Sequence, residues 1–289
     1  MNTAARFAAA LAFAVALPAV AGAQTWRTLD VSRQLRDTTE LHVHVQYAAG
    51  RLTLRAAAQP VLYAMNLRYD EDRTSPLHAF DAAAGTLDIG IKDVSTTWTD
   101  RRSDRDSKGQ MNLTLAPTVP LDLTMTMGAT AADIDLGGLT LRGLHVESGA
   151  TDETLDFSVP NRARMGAVSM DVGAASLTAR NLANANASSL HVKGGVGALD
   201  LGFGGTWTGD LDATVQVTLG KITLRIPRDV GVQLDLQRFL TSFDDDGLIK
   251  RDGSYFSDNW DTAKYHLRLH VQTTLGGVVI DRFGSSAAP

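Results

Sequence analysis

Val168-Ser169-Met170-Asp171-Val172-Gly173 and, further on, Leu190-His191-Val192-Lys193-Gly194-Gly195 are two copies of one pattern. Apolar residues alternate with polar ones, a glycine follows, and a second apolar alternation begins. Working outward, the pattern recurs at Thr124-Met125-Thr126-Met127-Gly128, Leu144-His145-Val146-Glu147-Ser148-Gly149 and Val215-Gln216-Val217-Thr218-Leu219-Gly220. The glycines of the five copies are 21, 24, 22 and 25 residues apart. Alternation with period two is the signature of strands with one buried face. A fixed period of this size marks stacked repeats, each burying its apolar side against its neighbours. The pattern therefore predicts an all-β chain, a right-handed parallel β-solenoid of 21–25-residue glycine-centred repeats. A strand that bends sharply into the next side of a coil needs a residue tolerant of positive φ, which is the role expected of Gly50, Gly128, Gly149, Gly173, Gly195, Gly220 and Gly276. Aligned on these glycines, His145, Ser169, His191 and Gln216 form an outward polar ladder, and Val146, Met170, Val192 and Val217 an inward one.

The same unit appears near the start, where Leu41-His42-Val43-His44-Val45 and Leu52-Thr53-Leu54 flank Gly50. An N-terminal β-domain over residues 24–108 is expected to continue or cap the solenoid, which occupies 109–283. Thr99 to Gln110 holds charges of both signs and no apolar anchor, and reads as a solvated loop. A second interruption, from Phe239 to Lys264, falls between Gly220 and Gly276 and reads as an insertion that could cap the solenoid end. Residues 284–289 read as a disordered tail. Residues 1–23 read as a secretory signal: Arg6, a short apolar run from Phe7 to Leu17, and Ala21-Gly22-Ala23 as a cleavage site. The expected product is exported, periplasmic or extracellular.

The 289 residues contain no cysteine, which rules out disulfides and a cysteine-linked lipid. The formal charge of −5 argues against nucleic acid as a partner. No stretch after the signal is long and apolar enough to span a membrane.

The order of short motifs resembles that of secreted bacterial proteins with a toast-rack N-terminal domain, allied to the cell-wall-active antibiotic response proteins and to adhesins of the β-solenoid type. The matching residues are Glu40–Val43, Ala49–Leu54 and Leu62–Ala64 near the start, then Asp133–Leu139, Asn181–Asn186 and Gly195–Asp200. Gly220–Pro227 and Tyr255–Trp260 follow. The resemblance implies a β-solenoid in the bacterial envelope, a link to envelope stress, and no known catalysis. Antibiotic-response regulators carry membrane helices before this domain, and this chain departs from them in that respect.

The candidates for chemistry each have a plainer reading. Leu-His-Val recurs at 41–43, 144–146, 190–192 and 269–271, so His42, His145, His191 and His270 are expected at equivalent positions; His44, two residues from His42, is a candidate second metal ligand. An outward position that accepts any polar residue explains them equally. Asp244-Asp245-Asp246-Gly247 offers oxygens for calcium but lacks the alternating spacing of a calcium loop. Asp133/Asp135 and Asp200/Asp210 are carboxylate pairs of the sort glycoside hydrolysis uses, or simply solvent-facing strand residues. Trp98, Trp207 and Trp260 are sugar platforms or buried anchors. Serine-elbow, zinc-protease and phosphate-loop motifs are missing. The sequence thus points to a non-catalytic envelope scaffold or adhesin-like module, with no cofactor or metal, that binds an envelope protein or glycan. The alternative is a polysaccharide-acting enzyme on the same scaffold.

Overall fold

The computed structural model of the protein describes residues 25–36, 38–93 and 109–284. The expected signal peptide, Trp98, most of the charged loop and the last five residues lie outside the described residues. The strands are β1 (Trp26–Gln34), β2 (Leu41–Ala56), β3 (Val61–Asp70), β4 (Thr74–Asp81), β5 (Thr86–Asp93), β6 (Gln110–Leu115), β7 (Pro120–Asp135) and β8 (Thr140–Ser148). They continue as β9 (Asp152–Asp156), β10 (Met165–Arg180), β11 (Ala187–Gly202), β12 (Leu211–Pro227), β13 (Gly231–Asp244), β14 (Ile249–Arg251), β15 (Ser254–Phe256) and β16 (His266–Phe283). One 3-10 turn spans Leu182–Ala185. The chain is all-β and solenoid-like, as expected at that level.

Alternation decides which side chains go inside. In β2, Leu41, Val43, Val45 and Tyr47 are buried, and then Leu52 and Leu54. The buried set switches from odd to even positions, so one residue interrupts the alternation between the two halves. The same switch separates Val168, Met170 and Val172 from Ala175, Leu177 and Ala179 in β10, and Val215 and Val217 from Ile222 and Leu224 in β12. An extra residue of this kind bends a strand, as a bulge does. Each long strand therefore has two arms that face one core across a corner.

The arms stack in parallel and in register. β2 pairs with β7 from Leu41↔Leu121 to Leu54↔Ile134. β7 pairs with β8 and β9 along its two arms, β10 pairs with both in turn, and β11, β12, β16 and β13 follow. Like residues then stack: Val43, Leu123, Leu144, Val168, Leu190, Ala213, Leu269 and Leu234 form one buried column. At about 1.5–3 kcal/mol for each fully buried aliphatic side chain, the stability is spread along the stack rather than held at one centre. Between coils, Asn161 satisfies turn backbone: its Nδ2 donates to the carbonyls of Leu141 (2.9 Å) and Ala185 (3.3 Å), and its Oδ1 accepts from the Leu141 amide (2.8 Å).

The corner glycines form two columns where one was expected. Gly197, Gly220 and Gly276 pair in sequence, with φ of 147°, 149° and 138°. A Cβ on Gly220 would lie 1.7 Å from the Gly197 carbonyl oxygen, so both its dihedral and its neighbour demand glycine. Gly50, with φ 120°, occupies the same column through Thr130. Gly128, Gly149, Gly173 and Gly195 stack two residues earlier in the strand: a Cβ on Gly173 would approach the Gly149 carbonyl to 2.8 Å, and one on Gly195 the Gly173 carbonyl to 2.7 Å. The expectation of one glycine column is corrected accordingly, and Gly197 is the member it lacked.

The interruption after Gly220 has a topological cause. β16 lies between β12 and β13, so Gly276 follows Gly220 directly in the stack although β13, β14 and β15 intervene in sequence. The β14–β15 hairpin pairs antiparallel with Gln233 and Leu234 at the far end. At the other end β2 is met by β5 along its first arm and β6 along its second. Antiparallel β4, and β3 with β1, complete that end. The sheet is continuous from β2 to β7 across the expected 108/109 boundary.

Candidate binding face

Each first arm presents outward positions that parallel pairing turns into columns. The middle column runs Asp88 on β5, His44 on β2, Thr124 on β7, His145 on β8, Ser169 on β10, His191 on β11, Thr214 on β12, His270 on β16 and Asp235 on β13. Imidazoles occupy every second rung, hydroxyls the rungs between, and a carboxylate stands at each end. His44 Nδ1 is 3.0 Å from Asp88 Oδ1, and His270 Nδ1 is 3.2 Å from Asp235 Oδ2.

Of the expected ladder, His145, Ser169 and His191 are adjacent rungs, and Gln216 is not among them. Thr214 pairs with His191, while Gln216 pairs with Lys193. The expected alignment set Gly220 on Gly195, whereas Gly220 pairs with Gly197. A two-residue slip leaves every side chain on its own face, so alternation does not reveal it. His42 likewise belongs to a different column, beside Asp122, and His44 takes the rung expected of it. A sequence signal for the true ladder exists: His44, His191, Thr214 and His270 each stand six residues before a positive-φ glycine, Gly50, Gly197, Gly220 or Gly276.

The flanking columns carry charge in small balanced groups. His145 Nε2 lies 3.0 Å from Glu147 Oε1, Lys193 Nζ 3.9 Å from Asp171, and Arg268 reaches Asp210 and Asp212 at 3.4 and 3.5 Å. All are exposed, so each pair contributes little to stability. Imidazoles two rungs apart are about 9.6 Å from one another, too far to share an ion. Among the described residues no three His, Asp or Glu gather as a metal-binding group.

The candidate carboxylates are each engaged elsewhere. Asp200 takes a bidentate pair from Arg225, with Nε at 2.9 Å and Nη2 at 3.0 Å. Asp133 pairs with Arg55. Asp135 accepts from the Gly137 amide and from Ser158 Oγ, both at 2.8 Å. Asp210 accepts from the His266 amide at 2.9 Å. Asp133 and Asp135 stand two residues apart on the outward side of β7, and each is already taken up, the first by Arg55 and the second by Gly137 and Ser158. In the Asp244–Gly247 stretch, Asp245 Oδ1 accepts from the Gly247 amide at 3.3 Å within the turn, and Asp246 Oδ2 accepts from the Arg282 amide at 2.6 Å, which ties the turn to β16. Trp207 is buried and donates Nε1–H to the Phe203 carbonyl at 3.1 Å. Trp260 stands edge-on to Phe256 and His266.

One concavity lies on the ladder itself. An open hollow of about 350 Å³ is lined by His44, Val45, Gln46, Leu77, Asp88, Thr124 and Thr126, at the end where β4 stands beside β5.

Bent strands stacked in parallel around one core, with a polar ladder outside, define the solenoid-like β class. Within it the chain belongs to the family of the N-terminal domain of toast_rack (DUF2154), whose model matches residues 22–180. The chain has no match among curated proteins. Similar solved structures include a "putative cell adhesion protein" from Clostridium sporogenes ATCC 15579, at 14% identity and TM-score 0.45, covering 90% of this chain and 100% of that one. A "putative adhesin" from Bacteroides fragilis NCTC 9343 aligns at 11% identity and TM-score 0.40, covering 89% and 98%. A "putative lipid binding protein" from Parabacteroides distasonis ATCC 8503 aligns at 9% identity and TM-score 0.30, covering 88% and 96%. No helix among the described residues is long and apolar enough to cross a membrane.

Proposed function

We propose that the protein is an exported, non-catalytic module of the bacterial envelope. In this reading it is a right-handed parallel β-solenoid that offers its polar first-arm face to an envelope protein or glycan, in a setting of envelope stress. The observation that carries the reading is the ladder from Asp88 to Asp235: short polar side chains in register across nine adjacent strands, on a rigid sheet. Repetition of one chemistry along a stiff surface suits multivalent contact. Catalysis asks for the opposite, a few groups converging with shifted proton affinities. The carboxylates nominated for hydrolysis are held by arginines or by backbone amides. Export rests on the leader pattern in residues 1–23.

The test is incubation of the purified full chain with a panel of envelope and capsule glycans, with reducing ends measured over time, beside thermal melts with and without chelator. The reading expects no release above the heat-killed control and melts that coincide. Reducing ends rising in proportion to protein would establish the enzyme instead.

A further inference from the structure

The ladder repeats every two rungs, and this sets what it can read. Imidazole and hydroxyl alternate along His44, Thr124, His145, Ser169, His191 and Thr214. The rung step is the interstrand distance, about 4.8 Å, so the chemical repeat is about 9.6 Å. An extended β-1,4-linked pyranose chain advances by nearly one such step per sugar, with alternate sugars turned to opposite sides. Its repeat is therefore also two units long. A single α-helix, with its pitch of about 5.4 Å, or a single extended peptide, with same-face side chains about 6.7 Å apart, does not match this step.

The charge on the face favours a ligand that is neutral along most of its length. Glu147 and Asp171 flank the middle rungs on one side, and Asp122 and Asp212 lie on the other, set against Lys193 and Arg268. The ladder also has a distinct end. The 350 Å³ hollow at His44, walled by Leu77, is large enough to take a terminal sugar or two, with a carboxylate, an imidazole and hydroxyls for its polar edges and an aliphatic wall for its ring face.

We propose that this face is a track for a linear, β-1,4-linked polysaccharide with a two-sugar repeat. The chain lies across the strands along the ladder, and one end sits in the hollow beside β4. The proposal rests on the binding-module reading above and names its ligand class. Each imidazole meets every second sugar, the hydroxyl rungs meet the sugars between, and single contacts are weak. Affinity then comes from length.

The experiment is a titration of the full chain with two length series: neutral β-1,4-linked N-acetylglucosamine oligomers, for which the expectations below are stated, and strands alternating N-acetylglucosamine with N-acetylmuramic acid, whose one carboxylate per disaccharide should weaken binding to this acidic face. Binding is read by the shifts of the histidine ring protons. The proposal expects affinity to rise several-fold with each added disaccharide and to level off at about four, when the ladder is filled. It expects the His145→Ala/His191→Ala variant to lose that length dependence while short oligomers still shift His44. Lys221→Ala, on the second arm, should behave as wild type, and matching thermal melts keep misfolding out of the comparison. Affinity independent of length, or a length dependence that survives loss of His145 and His191, overturns the track. If no oligomer binds but the same variant abolishes retention on an envelope protein, the track falls and the binding-module reading stands. If neither class is retained, both fall.

Discussion

Glu153 is a carboxyl inside the core. It is 1% exposed on β9, in the inward column between Ala132 and Leu177. Ser148 Oγ donates to its Oε2 at 2.7 Å, while Oε1 has no partner. Burial pushes its proton affinity above the usual carboxylate range, and the Ser148 hydrogen bond opposes the shift only in part. The sign of the linkage follows. The folded state holds this proton at pH values where the unfolded chain has lost it, so the associated stability is full below the unfolded value of about 4.3. It is lost as pH rises through the folded value. Glu153→Gln removes the ionisation and should be the more stable protein at pH 8, with the advantage shrinking towards pH 4. Urea melts of both proteins across that range check it, and a difference that does not grow with pH would show that Glu153 is not the source. At Arg282, also buried, the guanidinium Nη2 donates to the carbonyls of Pro227, Arg228 and Val230 at 3.2, 3.1 and 2.9 Å. Arg282→Ala leaves three turn carbonyls without this donor and should cost about 3 kcal/mol, measured in the same melts.

Within a strand, the order of inside and outside is sharply specified. Val192 is buried between Met170 and Val215, while His191 faces out beside Ser169 and Thr214. Val192→Asp should cost several kcal/mol by burying a charge without a partner, and His191→Asp less than about 1 kcal/mol. Equal losses in a denaturant melt would mean the in-out assignment is wrong. The corner columns make a finer prediction. Gly220→Ala meets both a positive φ and the Gly197 carbonyl, so it should cost about 2–4 kcal/mol, and more than Gly195→Ala, which has the close carbonyl alone. If one column held both glycines, the two losses would match. This contrast also marks how far the sequence could be read. Alternation about a glycine disclosed the bent strand and its two faces, because burial responds to parity. It could not disclose that Gly220 belongs with Gly197, because a shift of two residues buries the same side chains. For the same reason Leu-His-Val at 41–43 matches the other copies by pattern, although His44 is the rung of the ladder and His42 stands beside it. The intrusion of β16 between β12 and β13 was not legible either, since a repeated motif says which strands are alike and not which are adjacent.

Across the whole molecule, one thin core runs the length of the stack, and its ends are treated differently. At the β1 edge, Arg27 pairs with Glu71 at 2.8 Å, and Arg68 and Arg33 lie over Trp26 and Phe80, the charged cover that discourages edge-to-edge pairing. Beyond the β14–β15 hairpin, β13 instead shows Phe239 at 77% and Leu240 at 62% exposure. Leu240→Lys should therefore reduce concentration-dependent association, read by light scattering, without lowering the melting temperature. Between these ends, nine strands each contribute a rung to the same outward face, so in the proposed function the molecule as a whole rather than any one residue is the binding element. The most direct measurement is a surface-binding titration of the immobilised full chain against a panel of purified envelope glycans and surface proteins. Wild type is compared with His145→Asp/His191→Asp and with Lys221→Asp on the other arm. The account predicts saturable binding to at least one member of the panel, weakened about tenfold or more by the double change on the ladder and left intact by the change on the second arm. Binding that is indifferent to the ladder, or weakened equally from either arm, would contradict it.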